Sequence, residues 1–175
     1  LTFTNANWDT PQTVTVTGAD DNIIDGTITS TITIAVDDAS SDNDFDSVDD
    51  QTVSATTTDD DVAGFTVAET DGSTSVDESG TTDTFTVVLT AQPAENVVVL
   101  LVSSDDTGEA TVSGALTFTT TDWDTPQTVT VTGVDDNLVD GSQVSTITIS
   151  IVDDVSDNDF DAVENQTLDA TTTDD

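Results

Sequence analysis

Across 175 residues the chain carries 37 Asp and Glu, a formal charge of −37, and no Lys, Arg, His, Cys, Met or Tyr. Without imidazole, thiol, amine or guanidinium groups it lacks the usual general bases, soft metal ligands and phosphate clamps, which closes most enzyme chemistries. Nucleic acid and anionic lipid surfaces would repel it, because binding to both relies on basic side chains.

From Leu1 the chain reads Leu1-Thr-Phe-Thr-Asn-Ala-Asn-Trp8-Asp-Thr-Pro11-Gln-Thr-Val-Thr-Val-Thr-Gly18, and the same pattern returns as Leu116-Thr-Phe-Thr-Thr-Thr-Asp-Trp123-Asp-Thr-Pro126-Gln-Thr-Val-Thr-Val-Thr-Gly133. The offset of 115 holds through Ser41–Asp46 against Ser156–Asp161 and through Ala55–Asp60 against Ala170–Asp175, with about two-thirds of the paired positions identical. Residues 1–60 are therefore the C-terminal half of one repeat, and 61–175 are one complete repeat. A unit of this length suits an independently folding bead better than a solenoid coil.

Within the complete unit, apolar alternation bounded by Gly, Pro, Asn and Asp predicts seven strands. They fall near 63–69 with a continuation at 75–78, then 83–91, 96–104, 109–119 with a break at Ser113-Gly114, 127–133, 143–152 and 165–173. Phe85, Val87 and Leu89 alternate with threonine, as do Val129 and Val131, while Val144, Ile147, Ile149 and Ile151 alternate with one phase slip. Val97–Val102 is apolar on both faces and reads as a central strand or one covered by a neighbouring module. No segment has helical period, and 34% apolar residues gathered in β-branched runs argue against disorder. The predicted fold is all-β, a tandem of seven-stranded Greek-key, immunoglobulin-like β-sandwiches. Trp8 and Trp123 each plug one end of a sandwich, or else offer a sugar-stacking face.

Acidic clusters recur at loop positions. They are Asp20-Asp21 with Asp25, repeated as Asp135-Asp136 with Asp140; Asp59-Asp60-Asp61, repeated as Asp174-Asp175; Glu78 with Asp105-Asp106; and Asp42, Asp44, Asp46, repeated as Asp157, Asp159, Asp161. A single Asp is a good turn residue that bonds its own backbone. Adjacent carboxylates repel by roughly 1–4 kcal/mol, depending on dielectric, so pairs and triplets ask for a counter-charge. Hard oxygen donors without nitrogen or sulfur select Ca²⁺. The Asp-x-Asp-x-Asp run lacks the Gly and distal Glu of an EF-hand, and serves either as ligand or as a solvated loop anchored by Phe45 or Phe160. A glycosidase carboxylate pair is disfavoured, since the acids recur in both copies.

These residues carry a family resemblance. Val76-Asp-Glu78-Ser-Gly80 leading into Thr84-Phe-Thr-Val-Val-Leu89, then Leu116-Thr-Phe-Thr, Trp123-Asp-Thr-Pro-Gln-Thr-Val-Thr-Val-Thr-Gly133-Val-Asp-Asp136 and the closing Thr-Thr-Asp-Asp resemble a Calx-beta domain of the bacterial tandem-repeat type found in large surface proteins. The resemblance implies a seven-stranded sandwich with calcium in distal loops near the junction with the next domain. It places Glu78, Asp105 or Asp106, Asp135, Asp136, Asp174 and Asp175 on ligand positions, and Asp20, Asp21, Asp59 and Asp60 on those of the preceding unit. Where animal members carry a Glu-rich segment after the Asp-Asp pair, this chain has Asn137-Leu-Val-Asp140-Gly.

Together these features lead to the expectation of a structural segment of a long extracellular repeat protein at a bacterial cell surface: an adhesin shaft, matrix protein or filament stiffened by Ca²⁺ between domains, and not an enzyme. Its expected partners are neighbouring repeats and, in a filament, identical chains. A polysaccharide- or cell-surface-binding module is the alternative of another class. No apolar run approaches the ~20 residues that span a bilayer, so direct membrane insertion is not expected. The half repeat 1–60 is expected either to be a window on a longer polymer or to be completed by strands of a neighbouring chain.

Overall fold

The computed structural model describes residues 1–94, 98–103 and 108–174, with 98–103 described by its backbone alone. The chain divides into two compact units, residues 1–21 with 26–59, and residues 22–25 with 60–175. Among the described residues no helix is long and apolar enough to cross a membrane.

The smaller unit holds one antiparallel pair, β1 (Ile28–Ile34) and β2 (Gln51–Thr57), with Ile32 opposite Val53. The loop between them contains a short 3-10 turn, Asn43–Phe45, capped by Asp42, whose Oδ1 accepts the Asp44 N–H at 3.1 Å. Leu1, Phe3, Trp8 and Phe45 are exposed.

In the larger unit the strands are β3 (Phe65–Glu69), β4 (Thr74–Asp77), β5 (Thr82–Leu89), β6 (Val98–Ser103), β7 (Ala110–Val112), β8 (Leu116–Phe118), β9 (Gln127–Gly133), β10 (Gln143–Ile151) and β11 (Gln166–Thr173). One sheet runs β4-β11-β10-β6-β8 and the other β3-β5-β9-β7. The all-β sandwich expected from the alternation is present, and β6 is paired on both sides, the central of the two placements expected for it.

Two of the seven predicted strands each become two, shared between the sheets. At 69–74 the chain leaves β3 at the edge of one sheet and enters β4 at the edge of the other, turning through Asp71 (φ 58°) and Gly72 (φ 82°). Ser113-Gly114-Ala115 likewise carries it from β7 in one sheet to β8 in the other. After its switch β4 pairs with β11 in parallel, Thr74 opposite Ala170, whereas β8 pairs antiparallel with β6. The phase slip expected at Val144 does not occur. Ser145 takes the inward position and is buried, while Val144 faces out.

The core lies between the sheets. Phe85, Val87 and Leu89 of β5 with Val129 and Val131 of β9 meet Ile147 and Ile149 of β10, Phe118 of β8 and Ala170 of β11. Each of these side chains except Ala170 contributes roughly 1.5–3 kcal/mol on leaving water. Asp157 caps the 3-10 turn Asn158–Phe160, accepting the Asp159 N–H at 3.0 Å, and this turn drops Phe160 into the core. At the end of β9, a Cβ placed on Gly133 would meet the Asp77 carbonyl oxygen at 2.1 Å, so only glycine lets β9 approach β4 this closely.

Candidate metal site

At one end of the larger unit, acidic residues arrive from four places. Glu78 follows β4 and donates its N–H to the Thr173 carbonyl at 3.1 Å. Glu109 precedes β7, and its carbonyl accepts the Val134 N–H at 2.9 Å and the Thr172 hydroxyl at 3.2 Å. Asp136 and Asp140 lie on the β9–β10 loop, and Asp174 follows β11. The loop is tied to the last strand, since the Gly141 N–H donates to Asp174 Oδ2 at 2.9 Å, while Asp136 Oδ1 accepts the Leu138 N–H at 2.6 Å.

The two glutamates are the unusual members. Glu78 is 2% exposed and Glu109 6%. Burial, reinforced by the negative fields of Asp174, Glu109, Asp136 and Asp140, pushes the Glu78 carboxyl up to about 7. Glu109 is also raised, first by burial and then by Asp136 and Asp140, while a hydrogen bond with the Glu78 side chain works the other way. The field of Glu109 thus makes ionisation of Glu78 less favourable. Asp77, beside them, is lowered because it accepts hydrogen bonds from Ser79, its Oδ1 lying 2.9 Å from the Ser79 N–H.

The donor chemistry is that of a hard cation: oxygen only, several negative charges, and no basic side chain anywhere in the sequence. The distances are less complete, because among the described residues no group of three or more acids is close enough to hold one ion.

Of the predicted ligands, Glu78, Asp136, Asp140 and Asp174 therefore share one end of the sandwich and one electrostatic neighbourhood. Asp135 is next in sequence and exposed. Asp105, Asp106 and Asp175 lie outside the described residues. Asp20, Asp21 and Asp59 fall in the smaller unit, where Asp59 Oδ2 accepts the Gly26 N–H at 2.7 Å, the counterpart of the Asp174–Gly141 contact. Asp25, Asp60 and Asp61 fall in the larger unit. Sequence reasoning missed Glu109. Its signal was slight: one of few glutamates among many aspartates, at the first position of a predicted strand.

Trp123 is half-buried against the core, and its carbonyl accepts the Leu89 N–H at 3.2 Å, as expected of a plug, whereas Trp8 is exposed and plugs nothing in the smaller unit.

No family model matches this chain, and no curated protein matches it. Among solved structures it is similar to the E. coli chaperone DraB, with TM-score 0.46 and 6% identity over 65% of this chain and 56% of that one. It is also similar to domains 4 and 5 of the S-layer protein SbsC, with TM-score 0.41 and 24% identity over 70% and 52% of the two chains. A third is an apo-form Calx CBD1 domain, with TM-score 0.41 and 11% identity over 63% of this chain and 97% of that one. The matched part spans about half of DraB and of the SbsC fragment, and nearly all of the Calx domain.

Proposed function

We propose that this chain is a segment of a long extracellular repeat protein, a shaft of β-sandwiches whose acidic ends bind Ca²⁺ and are stiffened by it. The observation that carries the reading is the buried Glu78, pushed up to about 7 among Glu109, Asp136, Asp140 and Asp174 in a sequence with no basic side chain. Glu78, Glu109, Asp136 and Asp174 would hold the ion, drawn together as it replaces the Glu78 proton and neutralises their mutual repulsion. The aspartates of this end recur with the repeat, since Asp20, Asp21, Asp25 and Asp59 hold the sequence positions of Asp135, Asp136, Asp140 and Asp174. Small-angle scattering with calcium and then with chelator tests it. Calcium should make the particle longer and stiffer, and identical curves in the two buffers would remove the reading.

A second reading has one observation on its side. Leu1, Phe3, Val14 and Val16 are exposed, whereas their counterparts Leu116, Phe118, Val129 and Val131 form core in the larger unit. Strands of the 61–115 type from another chain would cover them and build a filament by complementation. Sedimentation at rising concentration tests this, because a chain that stays monomeric does not assemble that way.

A further inference from the structure

The β9–β10 loop carries a second feature, separate from its acids. In the first copy of the repeat the corresponding residues are Asn22-Ile-Ile-Asp25, and these four pack in the larger unit, with residues 60–175. Ile23 bridges Gln92 in parallel, the Gln92 N–H donates to the Asn22 carbonyl at 2.7 Å, and both isoleucines are half-buried. Ile24 packs against the core in a groove it shares with Val62, Ala63 and Val163. Gln92 is itself fixed by its side-chain amide, which donates to the Thr120 carbonyl at 2.7 Å. The domain thus has a built seat for a short apolar tip.

The second copy carries the same tip, Asn137-Leu-Val-Asp140, with its apolar residues in water. Leu138 is 63% exposed, and Val139, at 96%, is more exposed than any other large apolar side chain among the described residues. The tip is held out by a fixed base, because glycine at positive φ (Gly141, 76°) follows it and gives its N–H to the carboxylate after the last strand, as Gly26 (70°) does in the first copy. Two aliphatic residues at the tip of an otherwise acidic loop cost solubility without a return unless something covers them.

We propose that Leu138 and Val139 are a docking tip for a further copy of this domain, which they engage at the seat that Ile23 and Ile24 occupy in residues 60–175. The occupant is a domain with an open seat and not a second molecule of this chain, whose seat is filled by its own Ile23 and Ile24. Successive sandwiches are then joined by backbone pairing and apolar burial as well as by charge. The inference rests on the repeat-shaft reading but not on calcium.

Hydrogen exchange tests both halves. In the 175-residue chain, Ile24→Asp should speed exchange of the Gln92 amide by about tenfold or more while the Val87 and Ile149 amides keep their rates, as expected of a local opening. In a chain extended after Asp175 by a second copy of residues 61–175, the amide equivalent to Gln92 in the added copy should be protected, and Val139→Asp should remove that protection. An unchanged Gln92 rate in Ile24→Asp, or an added copy indifferent to Val139→Asp, would overturn the proposal. Both exchange measurements are made in calcium and in chelator, alongside small-angle scattering of the same proteins to read stiffening. Protection by Val139 without calcium-dependent stiffening would sink the metal reading alone, and stiffening without that protection would sink the docking tip alone.

Discussion

Glu78 shows how one residue can set the solution behaviour of the domain. Its carboxyl is raised in the folded state, so the folded protein keeps a proton that the unfolded chain releases at the ordinary glutamate value. That contribution to stability is fully present below about pH 4.5 and is lost as pH rises through about 7. Without metal, the larger unit should therefore melt lower at about pH 8 than at about pH 5, and Glu78→Gln should flatten that difference. Thermal melts of the two proteins in chelator check this; a wild-type protein that melts higher at the alkaline pH contradicts it. Asp77 and Asp122 have the opposite sign. Both are held low by hydrogen bonds, from Ser79 and Thr119 respectively, so they support folding above the ordinary aspartate range and cease to do so in strong acid. Gly133 is the other residue on which the acidic end depends. Gly133→Ala would drive a methyl into the Asp77 backbone, which cannot swing aside as a side chain can, and should cost about 3 kcal/mol or more by denaturant unfolding.

Between residues and elements, the two copies form an internal control. Gln12–Gly18 and Gln127–Gly133 are the same seven residues, yet the second is β9 and the first is not a strand. β9 has β5 and β7 on its two sides, and with them Val129 and Val131 are fully buried, whereas Val14 and Val16 remain 55% exposed. Strand propensity of the Thr-Val-Thr-Val run is therefore a statement about partners and not about backbone preference. β1 and β2 do form, in the same register as β10 and β11, because each supplies the other's ladder. The alternation in residues 61–175 made the sheet content and most strand positions legible, because one face of each strand is buried. The sheet switches were not legible, since Glu69–Thr74 and Ser113–Ala115 look like ordinary loops until the edges they join are known. Nor was Glu109, whose neighbours come from β4, β9–β10 and β11. The 3-10 turns offer a clean comparison at this scale. Phe160→Ala should cost about 3–5 kcal/mol, as expected for emptying a buried aromatic site, whereas Phe45→Ala should stay within about 0.5 kcal/mol. Denaturant unfolding of both variants reads the contrast.

For the whole molecule, a charge of −37 without a basic side chain makes stability a function of the ions present. Monovalent salt should raise the melting temperature through screening, and calcium should raise it further at concentrations far too low to screen. A melt series that responds equally to the two at matched ionic strength would leave general screening as the sole effect. Specific binding at the Glu78 end has a sharper signature, because the ion competes with the proton for the Glu78 carboxylate. The decisive measurement is calorimetric titration of calcium into the 175-residue chain near pH 7 in buffers of different ionisation enthalpy, repeated with Glu78→Gln. The expected result is saturable binding that releases a proton in the wild type, with release lost in the variant. Absence of saturable binding, or binding with the same proton count in both proteins, would contradict the account.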